Sequence, residues 1–181
     1  MDALAFLALA ALLAWAGRRW WPLALVAVPV AALAGTTLPD LDAALGLGHR
    51  SGLTHSVLPL ALACIDRRWR PVAAGLALGI GFHLSADVFP NGMRGFATVK
   101  LPGAGSIGGA ASYAWLAVNA LASLAVGGAM VAAMAPLRLA LVVLAVTAAV
   151  GIAYLFVTDG GWPALLVYGS AGWAVVRRRS G

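Results

Sequence analysis

Glutamate is missing from this chain altogether, and cysteine occurs once, at Cys64. With no glutamate there can be no H-E-x-x-H helix, which argues against a zincin-type membrane protease. With one thiol there is no intramolecular disulfide and no cysteine cage for a metal. Cys64 sits in an apolar run and reads as a small packing residue. Charge is also scarce. Charged residues make up 10% of the 181, against about a quarter in an ordinary soluble domain. Long linkers, fixed-period repeats and low-complexity tracts are absent too.

What fills the chain is apolar sequence, at 62%. It falls into runs at 3–17, 20–38, 53–65, 71–89, 113–135, 137–157 and 161–176. Several approach the 17 to 25 residues that cross a bilayer. The runs predict an all-α fold, a polytopic integral membrane bundle of six to seven transmembrane helices, with residues 1–181 as one transmembrane domain. The first run resembles a signal-peptide core, but nothing basic precedes it and Arg18-Arg19 follow, which favours a retained first span.

The net charge of +6 comes from 12 Lys+Arg against 6 Asp+Glu. The arginines cluster between apolar runs, at Arg18-Arg19, Arg67-Arg68-Arg70 and Arg177-Arg178-Arg179. No basic face with interleaved aromatics appears, so a nucleic-acid partner is not expected. Alternating the seven spans with the C-terminus inside puts nine Lys and Arg on inner loops and three on outer ones. By the positive-inside rule this predicts a multi-pass protein of the cell's inner (cytoplasmic) membrane, N-terminus outside and C-terminus cytoplasmic.

Two polar stretches, 36–56 and 83–112, interrupt the pattern. Asp40, Asp42, His49, His55, His83 and Asp87 gather all three histidines and half of the acidic residues within 48 positions. His83 and Asp87 are four apart in a helical run and so share one face. Imidazole and carboxylate without thiolate suit zinc, and also manganese or iron. The six side chains are enough for one or two divalent ions, and a two-ion site suits phosphoester hydrolysis. Each residue also has a plainer role open to it. Asp87 can cap a helix, Asp40 can sit in a first turn after Pro39, and His49 can be a loop residue. Thr54 and Ser56 read as helix-start residues or as donors to His55. Arg50 and Lys100 offer cations to a phosphate or sit at headgroup level. Gly75 and Gly79 precede His83 at four-residue spacing and predict a close helix contact there. The glycine-rich 90–112 segment reads equally as a lid or as a connection.

These motifs resemble the YdjM-type family of inner-membrane metal-dependent hydrolases. The likeness rests on Pro39-Asp40-Leu41-Asp42, His49-Arg50 with Thr54-His55-Ser56, His83 with Asp87, and Gly95 through Leu101-Pro102. It covers residues 36–102, the motif-bearing region. One residue more separates Arg50 from Thr54 than in the family's tightest form, and Leu101 stands where Trp is common. The resemblance implies metal-dependent hydrolysis. The resulting expectation is a membrane-embedded hydrolase with Asp42, His49, His55, His83 and Asp87 as metal ligands. Asp40 would be ligand or base, and Arg50 would steady an anionic substrate. The partners expected are membrane lipid and a lipid-like or lipid-linked phosphoester, at the extracytoplasmic face. The alternative is a non-enzymatic metal-binding membrane protein, a transporter or structural partner.

Overall fold

The computed structural model describes residues 3–63, 65–89 and 92–179; Cys64 lies outside the described residues. The chain forms helices α1 (Ala3–Ala16), α2 (Trp21–Gly35), α3 (Leu41–Ala44), α4 (Leu58–Ala63), α5 (Arg70–Asp87), α6 (Gly109–Met134), α7 (Leu137–Val157) and α8 (Gly161–Arg179). Two short 3-10 turns lie at Arg67–Trp69 and Gly95–Ala97. A small antiparallel hairpin pairs β1 (Lys100–Leu101) with β2 (Gly105–Ser106). Proline near the start of α2 and of α5 suits a first turn, where the missing N–H has no helical partner to lose.

The fold is all-α, as expected, but the ladder of six to seven transmembrane spans is not met. Two described helices, Gly109–Met134 and Leu137–Val157, are long and apolar enough to cross a membrane. The runs at 3–17 and 20–38 give helices of 14 and 15 residues. The run at 53–65 breaks into turns and the six-residue α4. The physical reason is composition: small residues such as alanine keep the mean apolarity high, while turns interrupt the helix. The multi-pass inner-membrane placement, with its inside and outside loops, therefore loses its basis. So do the membrane-embedded site and the lipid-linked phosphoester inferred from it.

Helix α5 is the axis of the molecule, with 15 of its 18 residues buried. It packs against α2 along a seam of small residues. A Cβ added to Gly75 would lie 2.1 Å from the Val28 carbonyl oxygen, and one on Gly79 would lie 2.1 Å from that of Ala32. The two backbones are therefore in contact, and only glycine fits at either place. One turn beyond Gly79 comes His83, delivered to the C-terminal end of α2. On its other side α5 meets α6, where Gly127 faces Ala74 and Leu78 and Gly81 faces Leu124.

The first half of α6 holds the loop layer in place. Trp115 Nε1 donates to the His55 carbonyl at 2.8 Å, the Val57 N–H donates to Asn119 Oδ1 at 3.1 Å, and the Val99 N–H donates to Ser112 Oγ at 2.9 Å. These bonds satisfy loop groups that would otherwise be buried without partners. Gly52 N–H to the Lys100 carbonyl and Lys100 N–H to the Arg50 carbonyl join the 49–52 loop to the hairpin.

Candidate metal centre

His55 comes from the loop layer and His83 from α5, 28 residues apart in sequence. Their ring centroids lie 5.3 Å apart. Both are buried, His55 fully and His83 to 4% exposure. Asp87 joins them from one turn beyond His83. Its Oδ2 lies 3.3 Å from His55 Nε2 and 3.5 Å from His83 Nε2. Asp40 Oδ1 reaches His83 Nε2 at 3.7 Å from the end of the α2–α3 turn.

These atoms are short of partners. His55 Nε2, His83 Nε2 and Asp87 Oδ2 are buried and make no hydrogen bond. Buried polar atoms are nearly always satisfied, so three orphans facing one point call for an explanation. A divalent cation held between them would supply it. Ligands about 2.0–2.2 Å from a tetrahedral ion stand about 3.3–3.6 Å from one another, close to the spacing here. One atom each from Asp40, His55 and His83 lies within 4.8 Å of the others, a cluster able to hold a metal ion. The donor set is imidazole and carboxylate, which suits a divalent transition ion.

The outer faces of both rings fix this arrangement. His83 Nδ1 lies 2.9 Å from the Thr36 carbonyl and 3.0 Å from the Tyr154 hydroxyl. A carbonyl can only accept, so in the neutral ring the proton belongs on Nδ1 and the Nε2 lone pair points into the cluster. His55 Nδ1 lies 3.1 Å from Thr54 Oγ1 and 3.4 Å from Asp42 Oδ2. A carboxylate behind a histidine is the usual support of a metal-binding imidazole. Asp42 is fully buried and also accepts from the Ser51 N–H at 3.0 Å.

Charge in the cluster is tightly coupled. Burial works against the Asp87 carboxylate, but the His55 and His83 rings beside it, the charge of His83 and the Arg50 guanidinium bonded to Oδ1 outweigh it. They hold the carboxyl well below the usual range. Burial likewise opposes charge on His83, yet Asp87, Asp40 and the Thr36 carbonyl raise its pKa above the ordinary histidine value. The pocket thus favours a positive charge at its centre.

Not every expected site residue takes the expected place. Asp40, His55, His83 and Asp87 come together. Asp42 stands behind His55 and does not face the cluster with its bonded oxygen. His49 is displaced: its ring stacks on Phe96 at 4.5 Å and lies 6.5 Å from the His55 ring. Arg50, expected to face substrate, is spent inside the protein. Its Nη2 bonds Asp87 Oδ1 at 2.9 Å and its Nη1 bonds the Ala97 carbonyl at 2.8 Å. It is 7% exposed and sits at φ 57°, a conformation few side chains adopt. Lys100 gives its ammonium to the carbonyls of His49, Phe96 and Thr98, so it clamps the loops and does not await a phosphate. Within 90–112, the residues from Met93 to Ser106 therefore form a latched connection.

Tyr154 and the Thr36 carbonyl were not singled out from sequence. A signal for Tyr154 existed: its hydroxyl lies in an apolar run and must find a partner when buried. For a backbone carbonyl there is none. Comparison with family models, curated proteins and solved structures found no match to this chain.

Proposed function

We propose that the chain is a metal-dependent hydrolase with a single-ion centre, zinc being the cation its donor set suits best. The observation that carries this reading is the convergence of three buried, partnerless atoms, with Asp87 Oδ2 at 3.3 Å from His55 Nε2 and 3.5 Å from His83 Nε2, the separation of two ligands on one tetrahedral ion. The resemblance of residues 36–102 to YdjM-type hydrolases supports the same reaction class. A divalent ion bound here would polarise the scissile group and lower the pKa of its water.

The protein's own groups divide the remaining work. His55, His83 and Asp87 form the buried wall of the site. Arg50 holds Asp87 through Oδ1 and leaves Oδ2 free. Asp40, with its side chain 57% exposed, is the open side of the cluster, where water and substrate enter. In a chain without glutamate it is the carboxylate placed to accept the proton lost by the attacking water. The exposed Asp40 favours a catalytic centre over a sealed structural ion.

The test is metal analysis of the purified protein, followed by chelation, reconstitution with zinc, manganese or iron, and assay on a panel of chromogenic esters. One equivalent of metal and metal-restored turnover are expected. His83→Ala should lose both, with metal affinity down by at least about a thousandfold. A wild-type protein that takes up no metal would sink the proposal. Metal that is bound, is needed for thermal stability and gives no turnover on any ester would make the ion structural.

A further inference from the structure

Helix α7 approaches α5 closely at one place, and the sequence there is built for it. Gly151 faces Phe82, and a Cβ on Gly151 would lie 2.4 Å from the Phe82 ring. Phe82 is the neighbour of His83. Three residues after Gly151, on the same helical face, comes Tyr154. Its ring stacks beside that of His83, with centroids 6.1 Å apart and planes 25° from parallel. Its hydroxyl is 3.0 Å from His83 Nδ1.

We propose that Tyr154 is a positioning residue of the metal centre, acting through His83. The inference rests on the metal-binding reading of the site. His83 Nδ1–H has two acceptors, the Thr36 carbonyl and the Tyr154 oxygen, one from α2 and one from α7. The carbonyl fixes which nitrogen carries the proton. The phenol oxygen, arriving from the opposite helix, fixes the rotation of the ring about its axis and so the aim of Nε2. Its electron density on the shared N–H also makes Nε2 a better donor. His55 has the parallel pair in Asp42 and Thr54. Each ligand imidazole is thus held from behind by two oxygens, and α7 supplies one of the four.

The experiment is Tyr154→Phe, which deletes one oxygen and keeps the ring. Zinc affinity measured by competition with a chromophoric chelator should fall about tenfold, near the low end for loss of an outer partner, since the Thr36 carbonyl remains. The visible spectrum of the cobalt-substituted protein should shift in band position. In the metal-free protein, the His83 Nδ1–H proton, followed by 15N-edited NMR, should exchange faster with solvent. Incorporating 3,5-difluorotyrosine at 154 keeps the packing while weakening the oxygen as acceptor, and should move the same three readouts in the same direction. Affinity within twofold of wild type with an unchanged cobalt spectrum would overturn the proposal. So would a Tyr154→Phe protein of lower thermal stability whose folded fraction binds zinc normally. Should wild-type protein bind no metal, the hydrolase reading falls by itself. The exchange measurement on metal-free protein then still decides whether Tyr154 holds His83.

Discussion

Helices α5 and α7 meet at His83, yet they are opposite kinds of helix. In α5, 15 of 18 residues are buried, and the helix carries three glycines, a histidine, a serine and an aspartate. In α7 the buried residues are a single stripe, Ala140, Val143, Thr147, Gly151 and Leu155, on a helix of 21 residues that is far more apolar. Leu141, Val142, Val146, Ile152 and Phe156 all stand exposed on its other faces. In this protein, then, apolarity does not report burial. Small size does, because glycine and alanine let backbones touch and close the interior around α5.

The largest effect should come from breaking the α5 side. Gly79→Ala places a methyl 2.1 Å from the Ala32 carbonyl oxygen, where neither backbone can yield. Overpacking of this kind costs about 1–3 kcal/mol. The shift should also reach the metal site, since His83 lies one turn on. The matching change on α7, Ala145→Leu, adds a larger group to an exposed position and should alter stability by about 0.5 kcal/mol or less. Denaturation of both variants, with zinc affinity measured alongside, tests the contrast. Equal effects at the two positions would dissolve it.

The same contrast explains what the sequence made legible. His83 and Asp87 at i, i+4 were readable because helical spacing fixes their relation before any tertiary contact forms. The glycine seam was readable because Gly75 and Gly79 have few other reasons to sit there. His55 was readable by chemistry, as one of three histidines gathered with carboxylates in a chain poor in charge. The number of crossings was not. Hydropathy counts apolar residues and does not report whether a run is one continuous helix: the run at 53–65 breaks into turns and the six-residue α4. Spacing groups Asp42 and His49 with the ligands and turns Arg50 toward a substrate, because all three are polar residues of one short stretch. Which of them faces the centre depends on loop geometry, including the left-handed turn at Arg50, and spacing does not encode that.

A smaller effect separates ligands from their supports. Asp42 touches His55 Nδ1, not the cluster's bare nitrogens, so Asp42→Asn should weaken zinc binding by about 10 to 100-fold without abolishing it. The asparagine keeps an oxygen for the Ser51 N–H but offers His55 a neutral partner. Isothermal titration against the His83→Ala baseline ranks the two. Loss as complete as that of His83→Ala would return Asp42 to the ligand set.

The smallest effect is expected at His49, and it is the sharpest test of the loop layer. Its ring lies flat on Phe96, with planes 6° apart, partly buried at the edge of the site. Burial is the main influence lowering its pKa, with the neighbouring Arg50 charge next, so it is predominantly neutral at pH 7. A neutral ring could still bind a metal, so charge does not exclude it. Geometry does: the ring is 6.5 Å from that of His55 and engaged by its stacking partner. Nothing in the cluster depends on it, because the loop is fixed by backbone pairing with Lys100 and by the Lys100 ammonium on the His49 carbonyl, which any residue retains. His49→Ala should therefore leave zinc affinity within about twofold of wild type and cost about 1 kcal/mol or less of stability from the lost stack. A tenfold fall in affinity with stability unchanged would mean that the loop swings His49 onto the metal when the ion binds, and the site would then have a fourth protein ligand.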